Sequence, residues 1–397
     1  MQAAMPESFL AKFVTRNQLL VSKINLSKFD KIYIVSVGKA ADTMAKFVHS
    51  TINSDGGIVV IPQTHTSVFS NNTFRIIRAS HPIPNNSSIV AAKSIIQLLK
   101  NTKKEDLVIF LVSGGTSPLI CMPDGITLKQ KQQLTQSLLK SGATIREINA
   151  LRKHLSLVKG GKLLENLNCQ AISYVMSDVL GDDLSSIASG LTYCDKTTFK
   201  DCLKIIHKYN LSSQLPRQIM RHLSLGAQGK IPETPKTPKI QNIVIASNKD
   251  CISSMAKKAK KLGYKTKILQ SLSGDVSFAA KKVLRNFPDK PKSCLIFGGE
   301  TTVKVKGNGK GGRNQELVLR VIKRAKSERV IASIGTDGID GNTKHAGAIS
   351  YFVVKKTEID RYLENNDSNS FFKKHGGLVM TGPTHTNLLD IGLILKS

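Results

Sequence analysis

A two-domain α/β fold, opening with a doubly wound sheet and closing with a smaller α/β domain, follows from three features of the 397-residue sequence. The length exceeds what one hydrophobic core usually supports. Short apolar strands alternate with amphipathic helical stretches along the chain. Those strands end repeatedly in glycine- and hydroxyl-rich turns, among them Gly38-Lys39-Ala40-Ala41, Ser113-Gly114-Gly115-Thr116-Ser117 and Gly335-Thr336-Asp337. In open α/β sheets, ligands gather at such carboxyl ends of strands.

Taken in order, Phe9, Leu10, Phe13, Val14, Leu19 and Leu20 are spaced as one amphipathic helix, and no charged segment leads into a continuous apolar core. A cytoplasmic protein is expected. Lys31 to Val37 is a strand, and the turn at Gly38 leads into a helix lined with small residues. Lys39 opposes the dipole of that helix, so a nearby anion explains its placement. The strand, turn and helix from Lys31 to Val48 carry neither GxGxxG nor a Walker pattern. Strands at Ile58 to Ile61 and Phe74 to Ile77 come next, then the rigid loop His81-Pro82-Ile83-Pro84-Asn85 and a helix from Ser87 to Leu99. Leu107 to Val112 reads as a buried strand, and Ser113 to Ser117 offer amides and hydroxyls suited to a carboxylate or phosphate. Helices are expected over Leu128 to Ser141 and Ile145 to Val158, the second placing Asn149 and Arg152 on one face with Ser156 or Lys153. Ala171 to Met176 is a strand ending near Asp178, Asp182 and Asp183, whose carboxylates suit magnesium or proton transfer.

Gln228 to Lys239 carries three prolines and reads as a linker, placing the domains at 1–230 and 231–397. Asn242 to Ala246 then opens the second domain, followed by a basic helix from Cys251 to Leu262, a strand at Lys265 to Leu269 and a helix from Gly274 to Phe287. The most informative stretch is Cys294 to Leu319. A strand is expected to stop at Gly298-Gly299-Glu300, with a second strand around Val303 and Val305. Gly307, Gly309, Gly311 and Gly312 interleave with Lys310 and Arg313 before a helix that starts after Asn314. Glycines against a helix start suit close approach to an anion. Val330 to Ile334 ends in Gly335 to Gly341, where Asp337 and Asp340 resemble a metal or phosphate loop without EF-hand spacing. Gly382 to Asn387 precedes the last strand, Ile391 to Leu395.

The net charge of +30 invites a nucleic-acid reading, but the excess is mostly dispersed lysine and there is no tryptophan to stack on bases. The charge still draws in small anions. Six cysteines without CxxC pairs or histidine companions argue against a zinc site and a disulfide framework. No apolar run reaches the roughly 20 residues that span a bilayer.

Eight motifs in order resemble the glycerate 2-kinase family, once also named for hydroxypyruvate reductase. They are Val37 to Ala41, His81 to Pro84, Ser113 to Ser117, Ser141 to Leu163, Ser177 to Thr192, Gly299 to Glu316, Gly335 to Gly341 and Thr381 to Asn387. The resemblance implies a Rossmann-like N-terminal glycerate-kinase domain, a C-terminal MOFRL domain and an active site in the interdomain cleft. It implies transfer of the γ-phosphoryl group of ATP to the 2-hydroxyl of D-glycerate, with Mg²⁺. Lys39 and Arg313 match the family's essential basic residues. Asp178 is assigned to the hydroxyl proton on chemistry. Ser113, Gly114, Gly115, Ser117, Asn149 and Arg152 are expected to hold the acid. Gly298, Gly299, Glu300, Gly309, Gly311, Gly312, Asn314, Thr386 and Asn387 are expected at the nucleotide, with Asp337, Asp340 and Glu300 at the metal. The expected partners are D-glycerate and ATP, with no specific nucleic acid and no membrane, in a monomer or homodimer. Thr116, Pro118, Leu191, Lys344-His345 and His385 depart from the family pattern beside these positions. The alternatives are a nicotinamide-dependent hydroxypyruvate reductase, which would want a GxGxxG fingerprint in the opening strand–turn–helix with an acidic residue about 20 positions on and a catalytic histidine pairing, and a basic nucleic-acid-binding protein.

Overall fold

Leu107–Val112 is apolar at all six positions and buried at all six, which only an interior strand of a two-sided sheet requires. The computed structural model describes residues 5–325, 329–351 and 356–397, in two units: 6–176 with 182–245, and 246–397 with 177–181.

In the first unit, β1 (Gln18–Leu19) and β2 (Ile24–Asn25) form a small antiparallel pair. The main sheet contains β3 (Ile32–Val37), β4 (Gly56–Pro62), β5 (Phe74–Ala79), β6 (Leu107–Val112), β7 (Gln170–Met176) and β8 (Gln241–Ala246). Their order is β5-β4-β3-β6-β7-β8, which is the doubly wound order of a Rossmann sheet. The pairs β4/β5, β3/β4, β3/β6 and β6/β7 are all parallel. The chain reverses direction across the sheet between β3 and β6, so the turns after Val37 and Val112 face the switch-point crevice.

Helices Ala41–Ile52 and Asn86–Lys100 connect β3 to β4 and β5 to β6. Between β6 and β7 come Leu128–Lys140 and Ile145–His154. With Phe199–Lys208 and Arg217–Ala227 they enclose a core of their own around Leu134, Leu151, Phe199 and Leu223. Three of these four helices open on reciprocal caps, Thr127 with Gln130, Thr144 with Glu147 and Thr198 with Asp201.

Several expectations shift here. The N-terminal helix covers only Pro6–Leu10, because Val14 turns back to bridge Leu19. The helix from Ile145 stops at His154, and Ser156 leaves the expected helical face to bridge Pro123. The proline-rich stretch before Ile240 is clamped to the first unit. Thr234 is buried and donates to Asp195, and Glu233 accepts from His154 and from the Phe199 amide. Since β8 completes the first sheet, 231–245 group with the first unit, where the sequence suggested the second.

The second unit holds β9 (Lys265–Asp275), β10 (Ser293–Thr302), β11 (Val330–Gly335), β12 (Gly347–Ser350), β13 (Leu378–Val379) and β14 (Asp390–Lys396), in the order β13-β12-β11-β14-β10-β9. Only β9/β10 is parallel; the other neighbours run antiparallel. Phe297, Leu317, Val318, Val321, Phe371 and Phe372 anchor its core. β10 does not stop at Gly298-Gly299. It shifts register there and continues to Thr302, while Val303 and Val305 lie outside any strand. The glycines serve close packing: a side chain on Gly298 would strike Asn248, and one on Gly299, at φ +151°, would strike the Leu272 backbone.

Candidate active site

In the first unit the two switch-point turns are stapled together. The Lys39 amide donates to Gly114 O at 2.9 Å, and the Ala40 amide donates to Ser113 Oγ at 3.1 Å. Thr116 Oγ1 lies within bonding distance of both Val37 O and Ser113 O. Ser113 is buried and committed to this staple, so its hydroxyl is scaffold rather than a donor to a ligand. At Gly115, φ is +81°, and an added Cβ would sit 3.3 Å from both Lys39 Cγ and His81 Nε2. Lys39 and His81 therefore flank one glycine, and His81 joins the site although its sequence motif had been given no role.

Ser117 Oγ and Ser189 Oγ share a hydrogen bond of 2.7 Å, and Ser189 Oγ donates to Asn149 Oδ1. Asn149 thus reaches the site through Ser189, a residue the sequence reading passed over. Arg152 and Ser117 line a cavity of about 350 Å³ together with Cys121, Lys131 and Lys159. Lys153, one position on from Arg152, instead pairs with Asp195 at 3.2 Å. Burial lowers the ammonium pKa of Lys131 to about 8 and that of Lys159 to about 7, and it lowers Arg152 as well.

In the second unit the glycine-rich loop has a different use from the one expected. Asn366 Oδ1 accepts from the amides of Lys306 and Gly307, Asn365 Oδ1 from Asn308, and Asp367 Oδ1 from Lys310. Gly309 donates to Asn365 O, and Gly311 donates to Asn342 Oδ1. The amides at 306–311 are spent on this chain's own oxygens, and Gly309 and Gly311 are small because 365–368 press against them. Gly298, Gly299, Gly309 and Gly311 are thereby accounted for by packing.

An anion does occupy the start of helix Arg313–Arg324, but it belongs to the protein. Asp340 accepts from the Asn314 and Gln315 amides at 3.0 and 2.9 Å and from Asn314 Nδ2. Gly312 leaves room for that carboxylate. Burial raises the pKa of Asp340, and the two amides pull it back down. Both of its oxygens are engaged in capping the helix. Asn314 is equally committed, accepting from Ser333 Oγ at 2.6 Å. Asp340→Ala is expected to lower stability by about 1–2 kcal/mol, with a melting temperature roughly 2–8 °C lower. Any response of the protein to Mg²⁺ should not move. A weakened Mg²⁺ response at unchanged melting temperature would restore the metal role.

Arg313 faces the other side of this loop. Its Nε and Nη2 donate to Asp390 at 2.6 and 3.0 Å, and Nη1 donates to Glu300 at 2.6 Å. Asp390, the first residue of antiparallel β14, is paired in register with Gly299, where β10 shifts register, and with Gly335, the last residue of β11. Burial pushes Asp390 up to about 7 even with the guanidinium beside it. For Arg313, burial disfavours the charge, but Asp390 and Glu300 more than offset it and hold the group protonated. Three of five guanidinium N–H groups are thus fixed and two remain for a ligand.

A cavity of about 600 Å³ lies beside Arg313, walled by Thr301, Val305, Gly312, Asp337 and Ile339. Thr386 Oγ1 is buried with no hydrogen-bond partner among the described residues, and Asn387 Oδ1 accepts from the Leu389 amide. Among the described residues no three or more His, Cys, Asp or Glu side chains cluster to hold a metal. Asp178, half-buried, follows the end of β7 and groups with the second unit. No helix among the described residues is long and apolar enough to cross a membrane.

Residues 1–224 match the domain of unknown function DUF4147, and 293–390 match the MOFRL family. The chain is 39% identical to the D-glycerate 2-kinase of Thermotoga maritima, over 94% of this chain and 92% of that one. It is 36% identical to the glycerate 2-kinase of Pyrococcus horikoshii, over 95% and 90%. Its fold is similar to the crystal structure of glycerate kinase from Thermotoga maritima, with a TM-score of 0.84 and 35% identity, covering 100% of this chain and 96% of that one.

Proposed function

The chain belongs to the glycerate kinase family, and from that premise we propose that it transfers the terminal phosphoryl group of ATP to the 2-hydroxyl of D-glycerate, giving 2-phosphoglycerate and ADP. The oxygen–phosphorus bond to glycerate forms as the bond to the leaving β-phosphate oxygen breaks, and the hydroxyl loses its proton. Catalysis of this kind is positioning and charge neutralisation more than covalent chemistry.

The observation that carries the reading is the match to glycerate kinases along nearly the whole chain, with a charged group poised at each expected strand end. The acid takes the first unit's switch-point crevice, with Lys39, Gly114, Gly115, Ser117 and Arg152 around it. Asn149 supports that end through Ser189. Nucleotide takes the cavity beside Arg313, whose two unspent N–H groups meet phosphate oxygens. Gly312 lines the same cavity, and Val305 and Ile339 offer an apolar wall to the base. Asp178 accepts or orients the proton of the hydroxyl.

Mg²⁺, held by one or two carboxylates and the nucleotide's phosphates, fits Asp337 and Glu300, and it would supply neutralisation of phosphate charge. Asp340, whose oxygens hold the start of helix Arg313–Arg324, stands outside the set we propose. A nicotinamide reading gains nothing from the Rossmann order of the sheet, since Gly38-Lys39-Ala40-Ala41 lacks the glycine spacing that admits a pyrophosphate.

The test is direct. Purified protein with D-glycerate, ATP and Mg²⁺ is expected to yield ADP and a phosphoester at carbon 2, resolved by phosphorus NMR, and Lys39→Met should lose most of that turnover. NADH oxidation by hydroxypyruvate with no phosphoester formed would overturn the reading.

A further inference from the structure

The cavity containing Ser117 and Arg152 carries more positive charge than glycerate can match. Lys131, Arg152 and Lys159 all line it, and no aspartate or glutamate does. Lys131 and Lys159 are more than nine-tenths buried. Lys131 Nζ donates to Arg152 O and Leu155 O, capping the end of helix Ile145–His154, and Lys159 Nζ donates to Ala188 O. An ammonium has three donors and a guanidinium five. The Arg152 guanidinium donates no hydrogen bond to the described residues. Most of the donors in this wall are therefore unspent, inside a space whose outer rim is the apolar Ile83, Pro84 and Leu139. Buried cations without counter-charge are costly. Helix capping explains Lys131 alone; it explains neither Lys159 nor Arg152.

We propose that this cavity is the acid-binding site and that its charge selects 2-hydroxy acids bearing a second anionic group, so that hydroxymalonate binds more tightly than D-glycerate. Lys159 and Arg152 contact the carboxylates, with Ser117 Oγ, already anchored by Ser189, beside them. Identification of the cavity with the reaction's acid site rests on the glycerate kinase reading; the charge preference does not. The ionisable groups facing the two ammonium groups are Arg152, Cys121, Lys162 and Asp124. Burial lowers the two ammonium groups to about 8 and about 7, and the negative charge of an entering dianion favours their protonated forms, so binding should take up protons. Affinity then falls as pH rises past about 8.

Calorimetric titration of the full chain, without nucleotide, decides the matter. Hydroxymalonate is expected to bind at least about ten-fold more tightly than D-glycerate to the wild type, with proton uptake visible as a buffer-dependent heat. Lys159→Met and Arg152→Met should each weaken it by roughly 10- to 100-fold. In turnover assays the same variants should raise the KM for the acid far more than they lower kcat. Equal affinity of the two acids for the wild type would overturn the proposal without any variant, and so would unchanged hydroxymalonate affinity in both folded variants. Tight, variant-sensitive hydroxymalonate binding in a protein that forms no phosphoester would uphold the charge selection while the kinase reading fell.

Discussion

Arg313→Ala is expected to lower kcat by roughly 10³-fold, the scale seen when an arginine that neutralises a transferring phosphoryl group is removed. Two effects combine. The variant loses the two N–H groups available to phosphate, and it leaves Asp390 and Glu300 facing each other without the cation that separates them. Asp390 is buried, so the loss of its partner also costs stability, on the order of 2 kcal/mol, limited by the ability of its carboxyl to take up a proton. Arg313→Lys tests the geometry. A lysine keeps the charge but cannot reach both carboxylates as a fork, and it should recover stability better than turnover. Steady-state kinetics at saturating ATP and D-glycerate, beside thermal melts, separate the two. A kcat within a few-fold of wild type for Arg313→Ala would end the assignment.

The largest stability effect is expected away from the chemistry, at Asp195. Its carboxylate is almost wholly buried and accepts from Lys153 Nζ, from the Thr197 amide and hydroxyl, and from Thr234 Oγ1, with His154 Nδ1 at 3.7 Å. Asp195→Ala strands the Lys153 ammonium in the interior, at a cost of about 3–5 kcal/mol. Melting should fall on the order of 10 °C. Adding Lys153→Met should return much of the loss, because removing both charges of a buried pair is far milder than removing one. Urea titration gives the check: a midpoint lowered in the single variant and largely restored in the double. A single variant within 1 kcal/mol of wild type would mean the network carries little.

The same network shows why the domain boundary was hard to read. Prolines and small polar residues from Gln228 to Lys239 have a linker's composition, yet Thr234 and Glu233 are held by Asp195 and His154, tens of positions upstream. Composition reports local stiffness and solvation; it does not report a distant buried acid. By contrast, Leu107–Val112 was legible because six successive apolar residues admit few environments besides an interior strand. The turns after Val37 and Val112 were legible as a site for the same reason, since a strand followed by a glycine turn and a helix fixes where a ligand can approach.

Within the site, charge and glycine were easy to find and hard to assign. Arg313 stood out beside its glycines, but Asp390, 77 positions later, was invisible until β14 entered between β10 and β11. Gly298 and Gly299 were read as a strand end, whereas their lack of side chains lets β10 bulge past Leu272 and Asn248. Asp340 has the residue type of a magnesium ligand, and only its contacts with the Asn314 and Gln315 amides show a cap. Lys159 carries no local signal of its burial. Its burial depends on the packing of Gly160 and Gly161 against Ser189 and Gly190, which no local pattern encodes.

The bracing of the loop before Arg313 by Asn365, Asn366 and Asp367 bears on how the protein can be altered. Exposed glycine-rich stretches are the usual choice for inserting an affinity tag, a fluorophore or a permuted terminus, since little is lost there. Here, lengthening the chain between Lys306 and Gly311 would pull a row of donors off their acceptors at once, and shortening 365–368 would do the same from the other side. The two segments are matched in length, and engineering has to treat them as one part.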